Sequence, residues 1–363
     1  MEQGAKERYE FIDLLKAIAI FLVVMGHNSN LKTNFLVEES LFTYFNYLTR
    51  TLLCVCVPTF FFVNGALLFN KDFNLKKHIR KIISIIILTV IWGAITLLVL
   101  MPIKGEYMSF IEFAKSLWSW KIDWINYLWF MQALVIIYIF FPLMKIAYEK
   151  EINILYFFLA AAFIMSFGNV FLSNCANIFE FVIGKNYIES NFNFFNNFNA
   201  FSYIYGYAIV YFILGGLFLK HKDKFYEKKW EGIAYVTIVI SIILLTLYGV
   251  LMTKSNGEMY DIIWNGFEMI PTLCMVIAIY ILSLRYKGKN KFSKLITLIS
   301  KNSFGIYFVH WSWSFLLIKF IKEIPYSDNF IAALLYALFT LLLSLLTVLL
   351  LKKIPIAKKL FFA

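Results

Sequence analysis

Ten apolar runs, each long enough to cross the hydrocarbon core of a membrane, leave this chain few ways to fold. A core of ~30 Å takes about 20 helical residues. The runs lie at residues 10–28, 45–69, 82–102, 125–144, 152–173, 201–219, 232–252, 262–284, 298–318 and 330–351. Of the 363 residues, 61% are hydrophobic and 15% are charged, against roughly 45–50% and 25% in soluble domains. The sequence predicts an all-α, polytopic membrane helix bundle of about ten transmembrane helices. No linker divides it, so we expect one membrane domain over residues 1–363.

The cations of the chain lie in clusters between alternate apolar runs. A net charge of +12 would suit nucleic-acid binding if the Lys and Arg residues shared one polar surface, and they do not. Cytoplasmic loops of membrane proteins are enriched in both residue types. The clusters lie at residues 71–81, 145–150, 220–229, 285–294 and 352–359. We therefore expect these connections and both termini to be cytoplasmic.

The opposite connections are rich in aromatic and amide side chains. Segment 103–124 carries Trp118, Trp120 and Trp124, and segment 174–199 is rich in Asn and Phe. Tryptophan at the edge of a span is commonly an interfacial anchor. The alternative is an aromatic and amide surface that contacts a sugar.

Three of the ionisable residues in the first apolar run lie on nearly one helix face. Lys16 and His27 are eleven residues apart, which at ~100° and ~1.5 Å per residue places them on almost the same helix face, about 16 Å apart. Asp13 lies one turn before Lys16. An ionisable group inside a span costs about 2.5–3.5 kcal/mol on insertion scales, and nearly always faces the bundle interior or a wet cavity. This stripe is therefore expected to line a polar pathway.

A simpler interpretation of the same residues stays open. Lys16 can snorkel to the inner surface with Asp13 as its partner, while His27 marks the outer boundary of the span. Histidine is, however, the side chain best suited to move protons near neutral pH, which favours a functional His27. We expect His78 and His221, in basic loops, to be solvated or to face lipid.

Four segments carry recognisable motifs in a fixed order. They are YEFIDLLKAIAIFLVVMGH at Tyr9–His27, VPTFFFVNGALLF at Val57–Phe69, LWFMQALVIIYIFFPLM at Leu128–Met144 and NSFGIYFVHW at Asn302–Trp311. In this order they resemble the acyltransferase-3 family, integral-membrane enzymes that O-acylate surface polysaccharides and related glycans. The resemblance covers nearly the whole chain.

The resemblance implies roles for individual residues. The family has an arginine, ten residues and then a histidine taken to be catalytic, and this spacing falls on Lys16 and His27. Lys16 keeps the cation but loses the planar fork of arginine. Two family arginines, three residues apart in the loop before the third helix, resemble Lys77 and Arg80. Asn64 stands where the family has a serine, so a role that needs a hydroxyl is lost there.

The implied chemistry is the transfer of an acyl group from acyl-CoA to a hydroxyl. We expect His27, with Lys16 and Asp13, to be catalytic. A histidine general base contributes roughly 10²–10⁴-fold, and the imidazole can instead accept the acyl group itself. Lys16, Lys77 and Arg80 are expected to bind the phosphates of the donor.

The resemblance also implies a supporting pocket, and the sequence lacks the motifs of metal, disulfide and phosphate-loop sites. The pocket residues are Asn64, Trp129, Gln132 and His310. Trp129 as an interfacial anchor, and His310 as a packing residue bonded to a neighbouring span, stay open. The four cysteines form no C-x-x-C motif, and the chain has no glycine-rich phosphate loop. We therefore expect no metal site, no disulfide framework and no permanently bound cofactor.

The expected function is that of an O-acyltransferase, in the simplest case an acetyl-CoA-dependent O-acetyltransferase, in a bacterial cytoplasmic membrane. Its acceptor would be a surface polysaccharide or its lipid-linked precursor, and its partners membrane lipid and polysaccharide-synthesis proteins. An exporter of polysaccharide or lipid-linked sugar is the alternative, since some relatives are described as export proteins. An acyltransferase acting on peptidoglycan or a small molecule is a third. An enzyme needs a donor pocket, whereas an exporter needs a pathway for a whole sugar chain.

Overall fold

The computed structural model of the chain describes residues 8–28, 31–119, 122–184, 195–201, 205–289 and 291–361. Within those ranges the chain is α-helical and contains no β-strand. The principal helices are α1 (Glu10–His27), α2 (Leu41–Thr51), α3 (Cys56–Phe69), α4 (Leu75–Lys104), α5 (Phe110–Ser119), α6 (Trp129–Lys150), α7 (Ile152–Phe163), α8 (Asn169–Val182), α9 (Gly206–Lys220), α10 (Lys228–Asn256), α11 (Ile262–Gly266), α12 (Ile270–Ser283), α13 (Lys291–Ile321) and α14 (Phe330–Leu351). The predicted all-α fold is confirmed.

Each predicted apolar run coincides with helix. In the part of the chain that the structure describes, seven helical stretches are long and apolar enough to cross a membrane, at Leu41–Phe69, Leu75–Lys104, Asn126–Lys150, Ile152–Val182, Lys228–Asn256, Lys291–Ile321 and Phe330–Leu351. The other three runs match shorter or more polar helices. α9 and α12 have 15 and 14 residues, and the 18 residues of α1 include Glu10, Asp13 and Lys16. The chain is a multi-pass membrane protein.

α1 packs in the interior of the bundle. Ten of its 18 residues are buried, and it contacts α3, α12, α13 and α14. A helix enclosed in this way is expected to be apolar nearly all round. Its ionisable residues Asp13, Lys16 and His27 therefore face protein and cavities rather than lipid.

Close packing of α3 on α9 accounts for a glycine in the second motif. A Cβ atom at Gly65 would lie 1.7 Å from the backbone oxygen of Phe212, and one at Gly215 would lie 1.9 Å from that of Phe62. Small residues allow membrane helices to approach this closely. Gly65 thus fixes the position of α3, and with it that of its neighbour Asn64.

Two polar residues in the predicted cytoplasmic clusters are buried. The Nε2 atom of His78 lies 2.7 Å from the backbone oxygen of Tyr138. The prediction that His78 is solvated or lipid-facing is wrong, because the residue lies on the side of α4 that packs on α6. Lys145 donates to the backbone oxygen of Phe69 at 2.6 Å and pairs with Glu149 at 2.8 Å. These residues join helices besides marking topology.

The tryptophans of segment 103–124 have different surroundings. Trp118 on α5 is 90% exposed, which fits the anchor interpretation. Trp124 is buried, and its backbone oxygen accepts a hydrogen bond from Trp311 Nε1 at 2.8 Å. Trp120 lies outside the described residues, as do residues 185–194 of the other predicted sugar-contact segment.

Candidate functional site

Three cavities follow α1 along its length, and we name each after one residue that lines it. The Arg8 cavity, near the N-terminal end of α1, has a volume of about 460 Å³. The Lys16 cavity has about 250 Å³ and the His27 cavity, near the C-terminal end, about 80 Å³. The lining residues used below are Arg8, Asp13, Lys16 and Lys71 in the first, Lys16, Asn64, Lys81 and Tyr138 in the second, and His27, Arg50, Cys56, Trp129, Asp261 and Trp264 in the third. Lys16 connects the first two because it lines both.

Asp13 joins α1 to α13. Arg8 Nη2 and Nε each lie 2.7 Å from Asp13 Oδ2, and Ser300 Oγ donates to Asp13 Oδ1 at 2.6 Å. Among the described ion pairs, Asp13 is therefore paired with Arg8. The snorkelling interpretation required Asp13 to pair with Lys16 instead. The Lys16 ammonium group is therefore available to a ligand in the two cavities that Lys16 lines.

The polar side of the Lys16 cavity includes two lysines and a hydrogen-bonded amide. Lys81 Nζ lies 5.0 Å from the centre of the Tyr138 ring, and the Tyr138 hydroxyl donates to Asn64 Oδ1 at 3.1 Å. Asn64 Nδ2 in turn donates to the backbone oxygen of Phe60 at 2.8 Å. The structure thus brings together Lys16 and Asn64, both singled out in the sequence, and adds Lys81.

Lys77 and Arg80 lie elsewhere on α4. Both side chains are exposed, and neither lines any of the three cavities. Lys81, one residue further along, faces the Lys16 cavity instead. The role of Lys77 and Arg80 in donor binding stays a prediction.

His27 lies beside His310, 283 residues away in the sequence. Their ring centroids are 5.4 Å apart, and the ring of Trp311 stands edge-on to His27 at 4.7 Å. His310 is fully buried. The first and fourth motifs therefore meet at one point, where α1 packs on α13.

The hydrogen bonds of His310 define which ring nitrogen carries the proton. Its Nδ1 atom lies 2.6 Å from the backbone oxygen of Tyr307. Because a carbonyl oxygen only accepts, Nδ1 is the donor, and Nε2 of the neutral ring is an acceptor. Nε2 is buried and has no hydrogen-bond partner among the described residues. A lone pair is thus available beside His27.

A second set of hydrogen bonds holds this part of α13 in place. The Tyr307 hydroxyl donates to the backbone oxygen of Tyr127, and the Tyr127 hydroxyl donates to the backbone oxygen of Phe308 at 3.1 Å. Thr96 Oγ1 on α4 lies 2.9 Å from the Tyr127 hydroxyl. These contacts fix the rotation of α13, and hence the direction in which His310 points.

Aromatic rings line the Lys16 cavity on the side nearest His27. Phe60 lies one turn from Val57, which lines the His27 cavity, and Phe130 follows Trp129, which also lines it. The centroid of the Phe130 ring is 5.9 Å from that of Phe60 and 5.6 Å from that of Tyr307. All three rings line the Lys16 cavity, and the centroid of the Tyr307 ring is 6.0 Å from that of His310.

Comparison with known proteins decides the family. The sequence profile of the family described as "acyltransferase domain", the acyltransferase-3 domain, matches residues 9–349. The chain belongs to the acyltransferase-3 family. Neither a curated protein nor a solved structure matches it. The match spans nearly the whole chain and supports membrane acyltransferase activity.

The remaining predicted pocket residues of this acyltransferase have different positions. Trp129 lines the His27 cavity, and its ring centroid is 5.2 Å from that of Trp264. Gln132 is half-buried and lines none of the three cavities. Asn28, directly after His27, is buried, and its amide has no hydrogen-bond partner among the described residues. Ser29 lies outside the described residues.

Several residues that line the three cavities are not singled out by the sequence. In the sequence Lys81 is one of several cations in the cluster 71–81. Arg50 had a readable signal, because it is the only charged residue in the apolar run 45–69 and an ionisable residue in a span usually has a function. Asp261 and Trp264 had no such signal, since Asp261 lies in the short polar connection after α10 and Trp264 lies among apolar residues of the run 262–284.

Proposed function

We propose that this protein is a membrane O-acyltransferase that transfers an acyl group, in the simplest case acetyl, from acyl-CoA to a hydroxyl of a bacterial surface polysaccharide or its lipid-linked precursor. One observation carries the proposal. The same helix bears Lys16, between two cavities lined by cations, and His27, beside His310 at a third cavity. A polyanionic donor needs cations around it, whereas a neutral acceptor hydroxyl needs a base beside it.

The cationic cavities support donor binding. Arg8, Lys16 and Lys71 line the Arg8 cavity and outnumber the two carboxylates there, Asp13 and Asp72. Lys16 and Lys81 line the Lys16 cavity. Lysine and arginine make charge-assisted hydrogen bonds to phosphate oxygens, which CoA carries. The thioester end of the donor would extend along α1 toward His27. The exposed Lys77 and Arg80 would contact donor phosphates that remain outside the cavities.

The histidine pair supports acyl transfer. In the general-base route, His27 takes the proton of the acceptor hydroxyl while the hydroxyl oxygen attacks the thioester carbonyl. The carbon–sulfur bond then breaks, and the CoA thiolate takes the proton back from His27. In the covalent route, a ring nitrogen of His27 attacks the thioester carbonyl and the carbon–sulfur bond breaks, which releases the CoA thiolate. The acceptor hydroxyl then attacks the acyl-imidazole, the carbon–nitrogen bond breaks, and the hydroxyl proton passes to the thiolate. In both routes a ring N–H of His27 would donate to His310 Nε2, which has no hydrogen-bond partner among the described residues, and this bond would orient His27.

The cavity sizes support an enzyme over an exporter. The three cavities have volumes of about 460, 250 and 80 Å³, and small-molecule sites generally span roughly 300–1,000 Å³. The rings of Phe60, Phe130 and Tyr307 lie between the second and the third. Cavities of these sizes suit a donor and one arm of an acceptor. An exporter would need a wide, continuous path for a whole sugar chain.

Mass spectrometry of the surface glycan tests the proposal. Cells with the gene should carry glycan units heavier by about 42 Da for each acetyl group that His-assisted transfer adds, and cells without it should lack that mass. The total amount of surface polymer should stay the same. Loss of polymer from the surface, with unchanged mass of each unit, would favour the exporter.

The proposed location is the bacterial cytoplasmic membrane, with both termini inside. The exposed residues Glu106 and Lys289 lie in connections of opposite predicted side, because Lys and Arg mark cytoplasmic loops. An impermeant thiol reagent applied to intact cells is expected to label a Glu106→Cys protein and not a Lys289→Cys protein, with each site followed by peptide mass spectrometry. Labelling at position 289 and not at position 106 would show that the orientation is the opposite of the proposed one.

A further inference from the structure

An unassigned ion pair lies at the His27 cavity. Arg50 and Asp261 both line it, and Arg50 belongs to the candidate membrane span Leu41–Phe69. Charged residues in spans are rare, and they mark substrate or ion pathways when they face a cavity. The site chemistry described above does not use this pair.

The geometry of the pair leaves both groups able to bind a ligand. Arg50 Nη2 and Asp261 Oδ1 are 3.9 Å apart, which is too far for a hydrogen bond. Asp261 Oδ1 accepts from the backbone N–H groups of Ile263 and Trp264 at 3.1 and 3.4 Å. Asp261 Oδ2 and the Arg50 guanidinium make no hydrogen bond with any described residue. The carboxylate is thus held in place while its second oxygen stays available.

A hydroxyl matches both members of this pair. It accepts a hydrogen bond from the guanidinium through its oxygen and donates its own proton to the carboxylate. Both bonds involve a charged partner, which makes them roughly twice as strong as neutral ones. Neighbouring hydroxyls on one ring satisfy both groups at once.

Two indole rings stand next to the pair. Trp129 and Trp264 line the same cavity, with ring centroids 5.2 Å apart. Trp264 is 48% exposed, so part of its ring is free at the rim. The C–H face of a sugar ring packs on an exposed indole while the sugar hydroxyls turn to charged groups.

The cavity volume decides how much of the ligand enters. About 80 Å³ is available, well below the roughly 300–1,000 Å³ of sites that enclose a small molecule. One hydroxyl-bearing arm therefore enters toward His27, and the rest of the ring stays over Trp264 at the rim.

We propose that Arg50, Asp261 and Trp264 form a saccharide subsite, which holds a sugar ring at the rim of the His27 cavity with one hydroxyl directed at His27. The assignment rests on the proposed function, whose acceptor it places. It names the specificity-determining residues for that acceptor.

Cys56 gives a test that does not depend on acyl transfer. Cys56 lines the His27 cavity, so its modification by methyl methanethiosulfonate, followed by peptide mass spectrometry, reports on access to it. The probes are the methyl glycosides of glucose, galactose and N-acetylglucosamine, added to the purified full-length protein in detergent. We expect at least one of them to slow the modification of Cys56, whereas 1-hexanol, a hydroxyl without a sugar ring, has no effect.

Matched variants assign the protection to the three residues. Arg50→Gln, Asp261→Asn and Trp264→Ala are each expected to weaken the protecting glycoside about tenfold, as for loss of a charge-assisted hydrogen bond or a packed ring. Glu39→Gln and Trp118→Ala are the controls. Glu39 pairs with Lys254 at 3.0 Å and Trp118 is exposed, and neither lines the His27 cavity.

Each outcome separates the subsite from the proposed function. The subsite is wrong if Cys56 does not react in the free protein, if no glycoside protects it, if 1-hexanol protects as well as the glycosides do, or if the three variants bind the glycoside normally. Acyl transfer to a glycoside with unchanged KM in the variants would also overturn the subsite and leave the function standing. Protection without any acyl transfer, from acetyl-CoA or longer acyl-CoA, would keep the subsite and reject the function.

Discussion

The two halves of α1 provide opposite surroundings for the ionisable residues that they carry, Lys16 in the first half and His27 at the C-terminal end. Around Lys16 the cavities have about 250 and 460 Å³ and are lined by further cations. Around His27 the cavity has about 80 Å³, and aromatic rings and a second imidazole stand next to it. One end is roomy and positively charged, and the other is narrow and closely packed.

The difference corresponds to the difference between the two proposed substrates. A polyanion is bound by cations that still have access to water, because screening then limits their mutual repulsion. A proton transfer needs groups held at fixed positions with water excluded. The rings of Phe60, Phe130 and Tyr307 lie between the two ends. One helix can therefore provide both a hydrated site for the polyanion and a drier site for proton transfer. The predictions below test this division, beginning with the largest expected effect.

Removal of the His27 imidazole should have the largest effect. We expect His27→Ala to lower acylation by at least about 10²-fold, the low end for loss of a general base. The helix should still insert, because alanine is the better helix former and is less polar than imidazole. Release of CoA from acetyl-CoA by the purified protein, together with the acyl content of the surface glycan, measures the effect.

His221→Ala is the matched control for that substitution. His221 follows α9 and lines none of the three cavities, so its loss should leave the acylation rate unchanged. Near-normal acylation by a well-expressed His27→Ala protein would remove the catalytic assignment, and with it the proposed role of the narrow end of α1.

His310 should have the next largest effect, through the position of His27. Asparagine at 310 can still donate to the Tyr307 carbonyl but has no acceptor in place of Nε2, whereas glutamine can place its carbonyl oxygen near the Nε2 position. We expect His310→Asn to lower kcat about tenfold, and His310→Gln to lower it less. The KM for acyl-CoA should stay unchanged in both variants.

Tyr336→Phe controls for loss of a buried hydrogen bond on α13. The Tyr336 hydroxyl donates to the backbone oxygen of Ser314 at 2.8 Å, away from the three cavities. If this variant lowers kcat as much as His310→Asn does, or if His310→Gln and His310→Asn behave alike, His310 acts only in packing.

Most of the fold was predictable from the sequence because bilayer thickness fixes the length of an apolar helix. The run 10–28 matches α1 to within one residue. The run 201–219 is less accurate, since α9 begins only at Gly206, after Tyr205 with a φ of 54°. Such a left-handed residue interrupts an apolar run without changing its hydropathy, so the sequence gives no sign of it.

The site was predictable where one helix carries it and not where distant segments meet. The stripe of Asp13, Lys16 and His27 follows from helical periodicity alone. The contact of His27 with His310 depends on how α1 packs on α13, which periodicity does not define. The same holds for α4, where Lys77 and Lys81 are one turn apart and only the packing on α6 decides which one faces a cavity.

The cations at the roomy end should affect donor binding rather than chemistry. We expect Lys81→Met to raise the KM for acyl-CoA about tenfold with little change in kcat, because it removes one charge-assisted contact to phosphate. The double variant Lys77→Ala with Arg80→Ala should raise the KM less, since both side chains are exposed. Saturating donor should restore most of the rate in each case.

Two results would contradict the expected roles of Lys81 and of the Lys77 and Arg80 pair in donor binding. An unchanged donor affinity in the double variant would leave those two residues as topology signals only. A larger effect from the double variant than from Lys81→Met would place the donor phosphates outside the Lys16 cavity.

The smallest effect is expected when Lys16 is replaced by arginine. Arginine keeps the cation and restores the residue that the family has at this position, and the two cavities that Lys16 lines provide room for its larger head group. We expect Lys16→Arg to keep the acylation rate within about threefold, which corresponds to roughly 0.6 kcal/mol in the barrier. Lys16→Gln is the control, because it keeps the polar stem and loses the charge. It should raise the KM for acyl-CoA about tenfold. Equal loss of activity in both variants would mean that the compact ammonium group itself is required at this position, and that Lys16 does more than attract the donor.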